Sequence, residues 1–118
     1  MAETYAGRWC IEDTFRNVKQ FLGGEDPQCW KARGPERAAA LSFWTYSAAW
    51  TWYLTVVGIN KSWPDLPWYP SKCTPSFADA LACLRRALWR SRFFATSEPP
   101  LLQAKIADTL IDVLARAA

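Results

Sequence analysis

Residues 35–58 read PERAAALSFWTYSAAWTWYLTVVG, and this stretch decides the architecture. Pro35 stands where a first helical residue belongs, with Glu36 in the first turn, and Gly58 supplies a stop. From Ala38 to Ile59 no residue carries a charge. A bilayer-spanning helix needs about 20 apolar residues, so the length alone permits a membrane span. The contents favour a different reading. Ser42, Thr45, Ser47, Thr51 and Thr55 are scattered along the segment, and its tryptophans sit in the middle instead of in interfacial belts. We read it as a core helix of a larger protein.

Outward from this helix, the punctuation marks three more. A helix over about residues 5–22 stops at Gly23-Gly24. Pro64, Pro67, Pro70 and Pro75, interleaved with Trp63, Trp68 and Tyr69, rule helix out of 59–75 and predict an extended aromatic loop. Thr74 and Pro75 look like the cap and first residue of a third helix over about 75–94. Ser97 caps a fourth over about 98–116, with Pro99 in its first turn. No strand is legible. The expectation is an all-α chain of about four helices, forming one partial domain over 1–118.

Composition narrows the function. The chain has 118 residues and eight tryptophans, many for so small an interior, which points to a larger parent or an exposed binding surface. A net charge of +3 permits nucleic-acid binding without requiring it. There is no histidine, which removes the usual general base. Cys10, Cys29, Cys73 and Cys83 are widely spaced with no C-x-x-C pair, against a zinc site. No secretory signal is visible, so reduced thiols and a cytoplasmic location are expected.

The first helix carries the chemistry. At about 100° per residue, Ile11, Phe15, Val18 and Leu22 fall within about 60° and predict a core-facing stripe. Tyr5, Arg8, Glu12 and Lys19 form a second stripe of similar width, its centre roughly 80° away. That places a carboxylate and two cations at the shoulder of the buried face, where a helix borders a cleft. On spacing alone, Arg8 and Glu12 are an ordinary i,i+4 pair, worth about 0.2–0.5 kcal/mol on an exposed helix.

The residue identities add more. Tyr5, Arg8, Glu12 and Lys19 fill the pattern Y-x2-R-x3-E-x6-K without a gap, around the core Arg8-Trp9-Cys10-Ile11-Glu12. This closely resembles the signature around the final glutamate of insertion-sequence transposases of the DDE class, in the subgroup named for those four letters. The motif covers about 15 residues. Weaker similarity of texture continues through the apolar helix, Trp68-Tyr69-Pro70 and Ser76-Phe77-Ala78-Asp79.

The resemblance implies a ribonuclease-H-like α/β domain of which these helices are the C-terminal part. Glu12 would be the third catalytic carboxylate and a ligand to divalent metal, Mg2+ or Mn2+, in the intact parent. Tyr5, Arg8 and Lys19 would grip the backbone of transposon-end DNA. In the family the first two aspartates come from strands preceding this helix. Asp13, Asp26, Asp65, Asp79, Asp108 and Asp112 all fall in loops or helices, so the chain alone is expected neither to cleave nor to join DNA, nor to bind metal tightly. Exposed apolar surface is expected where the sheet would pack. Expected partners are DNA and either full-length transposase or the missing N-terminal portion. Two other readings stand beside this one: a non-catalytic DNA-end-binding or transposase-inhibiting protein, and a small membrane protein built on residues 38–59.

Basic residues recur in the third helix. Phe77, Leu81, Leu84 and Leu88 share one face, while Arg85, Arg86, Arg90 and Arg92 spread over the other with Trp89. That side reads as a solvated basic face or a track for a DNA backbone. Trp63, Trp68 and Tyr69 are read as packing, with base stacking the alternative. In the fourth helix Leu101, Ile106, Leu110, Val113 and Leu114 predict a packing face without chemistry.

Overall fold

Two glycines place the ends of the first two helices. Gly23 adopts φ 63° and Gly58 φ 70°, a left-handed conformation that costs a glycine nothing and any side chain about 1 kcal/mol. At the first, the Gly24 N–H donates to the Val18 carbonyl at 3.2 Å. At the second, the N–H groups of Val57 and Gly58 both donate to the Tyr53 carbonyl, at 2.9 and 3.0 Å. Gly58→Ala is therefore expected to lower stability by about 1 kcal/mol. A urea melt unchanged from the parent protein's would show that the left-handed turn is not needed.

In the computed structural model, backbone is described for residues 2–25, 31–60, 63–93 and 101–117, and side chains for 7–25, 31–60, 63–92 and 104–117. These residues form four helices and no strand: α1 (Ala2–Leu22), α2 (Gly34–Val56), α3 (Phe77–Phe93) and α4 (Leu101–Arg116). The all-α reading of the sequence is correct. No helix is long and apolar enough to cross a membrane among the described residues. The expected cap of α4 at Ser97 and the end of the third helix at Phe94 lie outside the described residues.

The chain divides into two compact units, 1–48 and 49–118, with the division inside α2. In the first unit, the end of α1 packs on the start of α2. Val18 is only 2% exposed. Phe15 meets Phe43 edge-on, with ring centroids 5.3 Å apart, a favoured aromatic geometry. The Ser42 hydroxyl has one proton for two carbonyl oxygens, Ala38 O at 3.0 Å and Leu22 O at 3.3 Å, and joins the two helices when it donates to Leu22 O.

In the second unit the core forms where aromatic residues meet small ones. Tyr53 is fully buried against Ala80 and Cys83, with Trp50, Trp52 and Val57 packed around them. Alanine and cysteine at those α3 positions leave room for the phenol ring. Trp50 touches both Tyr53 and Phe77, with centroids 5.9 and 6.1 Å away. Helices α3 and α4 pair antiparallel, since Arg86 meets Asp112 while Arg90 meets Asp108.

Ala49 and Tyr53 are the buried residues of α2, while Leu41, Trp44, Leu54 and Val56 are exposed, Trp44 by 78%. In each unit its neighbours cover only a narrow strip of it. The third helix starts at Phe77, not at Pro75, because the Ser76 N–H and hydroxyl both donate to Asp79 Oδ2, at 2.8 and 2.7 Å. Ser76, not Thr74, is thus the cap, using the glutamate-like half of a capping box. The proline segment is not simply extended. Pro67 and Pro70 each occupy the second position of a turn, closed by Tyr69 N–H to Leu66 O at 3.0 Å and Lys72 N–H to Tyr69 O at 3.4 Å. In α4 the buried residues are Ile111 and Ala115, whereas Ile106, Leu110, Val113 and Leu114 stay exposed. The side chain of Leu101 lies outside the described residues.

Candidate functional site

All four motif positions fall on the one unbroken helix α1. The side chain of Tyr5 lies outside the described residues. Arg8 and Glu12 make the pair their spacing predicts: Arg8 Nε donates to Glu12 Oε1 at 3.1 Å, with the two side chains 75% and 50% exposed. Lys19, also exposed, forms an ion pair with Glu25 just past the helix end. So the structure joins Arg8 to Glu12 and gives Lys19 a different acid.

Exposed pairs of this kind contribute about 0–1 kcal/mol and exchange partners readily. A phosphate arriving at this face would meet two cations held only by weak surface contacts. The neighbouring stripe is covered only toward its C-terminal end. Val18 is buried, Leu22 is half-buried, Phe15 leans on Phe43, and Ile11 is exposed. Glu12 therefore borders an uncovered apolar face within the first unit, and not the closed shoulder that the spacing suggested.

The other acid on this part of α1, Asp13, accepts from Asn17 Nδ2 at 3.0 Å and pairs with Arg16 at 3.6 Å. Among the described residues no three His, Cys, Asp or Glu side chains gather into a group that could hold a metal ion. A single carboxylate does not make a two-metal centre. Cys10, Cys73 and Cys83 are free thiols, and Cys29 lies outside the described residues.

The four arginines of α3 do not act alike. Arg86 Nε donates to Asp112 Oδ1 at 2.6 Å, and Arg90 reaches Asp108 Oδ1 at 3.0 and 3.2 Å. Arg85 and Arg92 make no ion pair among the described residues. With Leu88, Trp89, Leu114 and Ala117 they line a groove of about 580 Å³. Among the loop aromatics, Trp63 is buried, with the Lys72 ammonium 5.7 Å from its ring centroid. Trp68 is 79% exposed, so packing accounts for the first and not for the second.

One polar cluster went unread in the sequence. Lys72 and Asp79 pair where their side chains are only 13% and 15% exposed, and Ser76 donates to the same carboxylate. Burial pushes the Asp79 carboxyl up. Hydrogen bonds from Lys72 and Ser76, together with the lysine charge, outweigh that and hold it below the ordinary aspartate value. The S-x-x-D spacing of Ser76 and Asp79 was the available signal. No local pattern pointed to Lys72.

No protein-family model matches the chain, and neither does any curated protein or solved structure.

Proposed function

We propose that this chain is the C-terminal part of the catalytic region of a DDE-class DNA transposase with a ribonuclease-H-like core. In this reading Glu12 supplies the third catalytic carboxylate, and Tyr5, Arg8 and Lys19 grip the DNA backbone. The observation that carries it is the complete Y-x2-R-x3-E-x6-K pattern on the single helix α1. Arg8, Glu12 and Lys19 on that helix are all open to a ligand. Two cations near a carboxylate suit phosphate contact beside a reacting centre.

A second feature supports the reading. Trp9, Ile11, Leu41 and Trp44 in the first unit are exposed, as are Leu54, Ile106, Leu110 and Val113 in the second. Apolar side chains in such number suit a region whose cover comes from elsewhere. A divalent metal, Mg2+ or Mn2+, belongs to the complete centre, to which Glu12 contributes one ligand. The partners are transposon-end DNA and the portion of the transposase that carries the other two carboxylates.

A mobility shift with transposon-end DNA tests the DNA-contact role. The chain should bind weakly, with a Kd in the non-specific range of roughly 10⁻⁴–10⁻⁶ M. Arg8→Ala/Lys19→Ala should lower the slope of log K against log salt by about 1.8, near 0.9 for each phosphate no longer neutralised. An unchanged slope contradicts the assignment. Tight, end-specific binding by the chain alone would instead favour a stand-alone DNA-end-binding or inhibitor protein.

A further inference from the structure

The net charge of the chain is unevenly placed. Residues 1–48 hold six Lys or Arg and six Asp or Glu, while residues 49–118 hold eight and five. The whole excess of +3 thus lies in the second unit. Within it, Asp112 and Asp108 neutralise Arg86 and Arg90. Those two arginines line a smaller cavity with Trp52, Val56 and Cys83, where their charge is already matched.

Arg85 and Arg92 have no such match among the described residues. They stand at i and i+7 on α3, with Leu88 and Trp89 at i+3 and i+4 between them, so all four share one helix stripe; Leu88, expected on the face opposite the arginines, is exposed beside two of them. Leu114 and Ala117 of α4 form the other wall. The result is a groove with an apolar floor, an indole on its lining and a guanidinium toward each end. Its volume of about 580 Å³ falls within the roughly 300–1,000 Å³ of ligand sites.

We infer that this α3–α4 groove binds single-stranded nucleic acid, with Arg85 and Arg92 on backbone phosphates and Trp89 stacked on a base between them. Seven residues of helix advance about 10 Å, far enough for the two guanidinium groups to reach different phosphates of one strand. A duplex keeps its base faces stacked inside, which leaves the indole of the groove unmatched. An unpaired strand offers phosphates to the arginines and a base face to the indole, the combination used by sequence-tolerant single-strand sites. The inference does not rest on the catalytic reading of α1, which uses different residues.

The test is fluorescence anisotropy of a labelled 15-nucleotide oligo-dT with the full chain, across a salt series. Arg85→Gln/Arg92→Gln should reduce the magnitude of the salt slope by about 1.4, near 0.7 per phosphate on a single strand. Trp89→Leu, which keeps apolar volume, should weaken binding on the order of 5- to 100-fold. Arg8→Ala/Lys19→Ala should leave this binding intact. Competition on the unmodified chain needs no variant to fold: unlabelled oligo-dT should displace the probe better than duplex DNA or poly-glutamate does.

Stronger displacement by duplex overturns the inference in favour of a duplex-binding face. Stronger displacement by poly-glutamate overturns it in favour of an acidic protein partner. No binding at low salt overturns it while leaving the reading of α1 untouched. Loss of binding only in the Arg8/Lys19 variant overturns it and supports the DNA grip assigned to α1.

Discussion

Under the proposed function, Glu12→Gln in the complete transposase should lower DNA cleavage and strand transfer by roughly a thousand-fold or more, the rate equivalent of about 4 kcal/mol. The amide keeps the size of the side chain and removes its charge. Folding should hardly change, because Glu12 is half exposed and its contact is the surface pair with Arg8, worth about 0–1 kcal/mol. The expected signature is thus an activity collapse without a matching loss of stability. Arg8→Ala should behave differently, weakening DNA binding and its salt dependence more than the chemical step. A Glu12→Gln protein retaining a tenth or more of the parent activity would remove Glu12 from the catalytic set.

The largest expected stability effect lies in the other unit. Asp79→Ala should destabilise by about 2–4 kcal/mol, since it removes the acceptor of the capping residue Ser76 and leaves the largely buried Lys72 ammonium without its carboxylate. Asp79→Asn should recover part of that through the Ser76 hydrogen bonds, but not the charge. The same carboxylate sets an acid dependence. Its folded-state pKa is lowered, so folding favours the ionised form, and the unfolded chain binds more protons as the solution is acidified. This stabilisation is complete above the ordinary aspartate value of about 3.9 and is lost as pH falls through the lower folded-state value. Urea melts of parent and Asp79→Asn should therefore begin to approach each other only below about pH 4, and draw together as pH falls further. Melts that stay equally far apart from pH 7 to pH 3 would contradict the role given to the Lys72–Asp79 pair.

Helices and stops were legible because they depend on local chemistry. Pro35 and Gly58 bracket α2, the Gly23-Gly24 pair ends α1, and the prolines keep residues 63–75 out of helix. The Arg8–Glu12 contact was legible for the same reason, since i,i+4 neighbours meet on any helix. Partnerships between helices were not. Nothing in the spacing of Arg85, Arg86, Arg90 and Arg92 says which two will meet Asp108 and Asp112. The apolar pattern of α4 also misled. Ile106, Leu110 and Val113 recur at helical spacing, yet Ile111 and Ala115 are the buried pair. Periodicity identifies an apolar stripe but not whether a neighbour covers it. On α1, Ile11 and Phe15 illustrate the same limit, as does Trp44 on α2.

Uncovered stripes of this kind are what the catalytic proposal anticipates, since the rest of its domain would pack against them. The proposal also makes a demand outside the chain: two further carboxylates carried on strands that precede α1 in the parent protein. The most direct measurement is to sequence the DNA immediately upstream of the Met1 codon and read it in all three forward frames. The account predicts a coding stretch with strand-like segments bearing two aspartates. A promoter there with no such coding sequence would contradict the catalytic reading of Glu12.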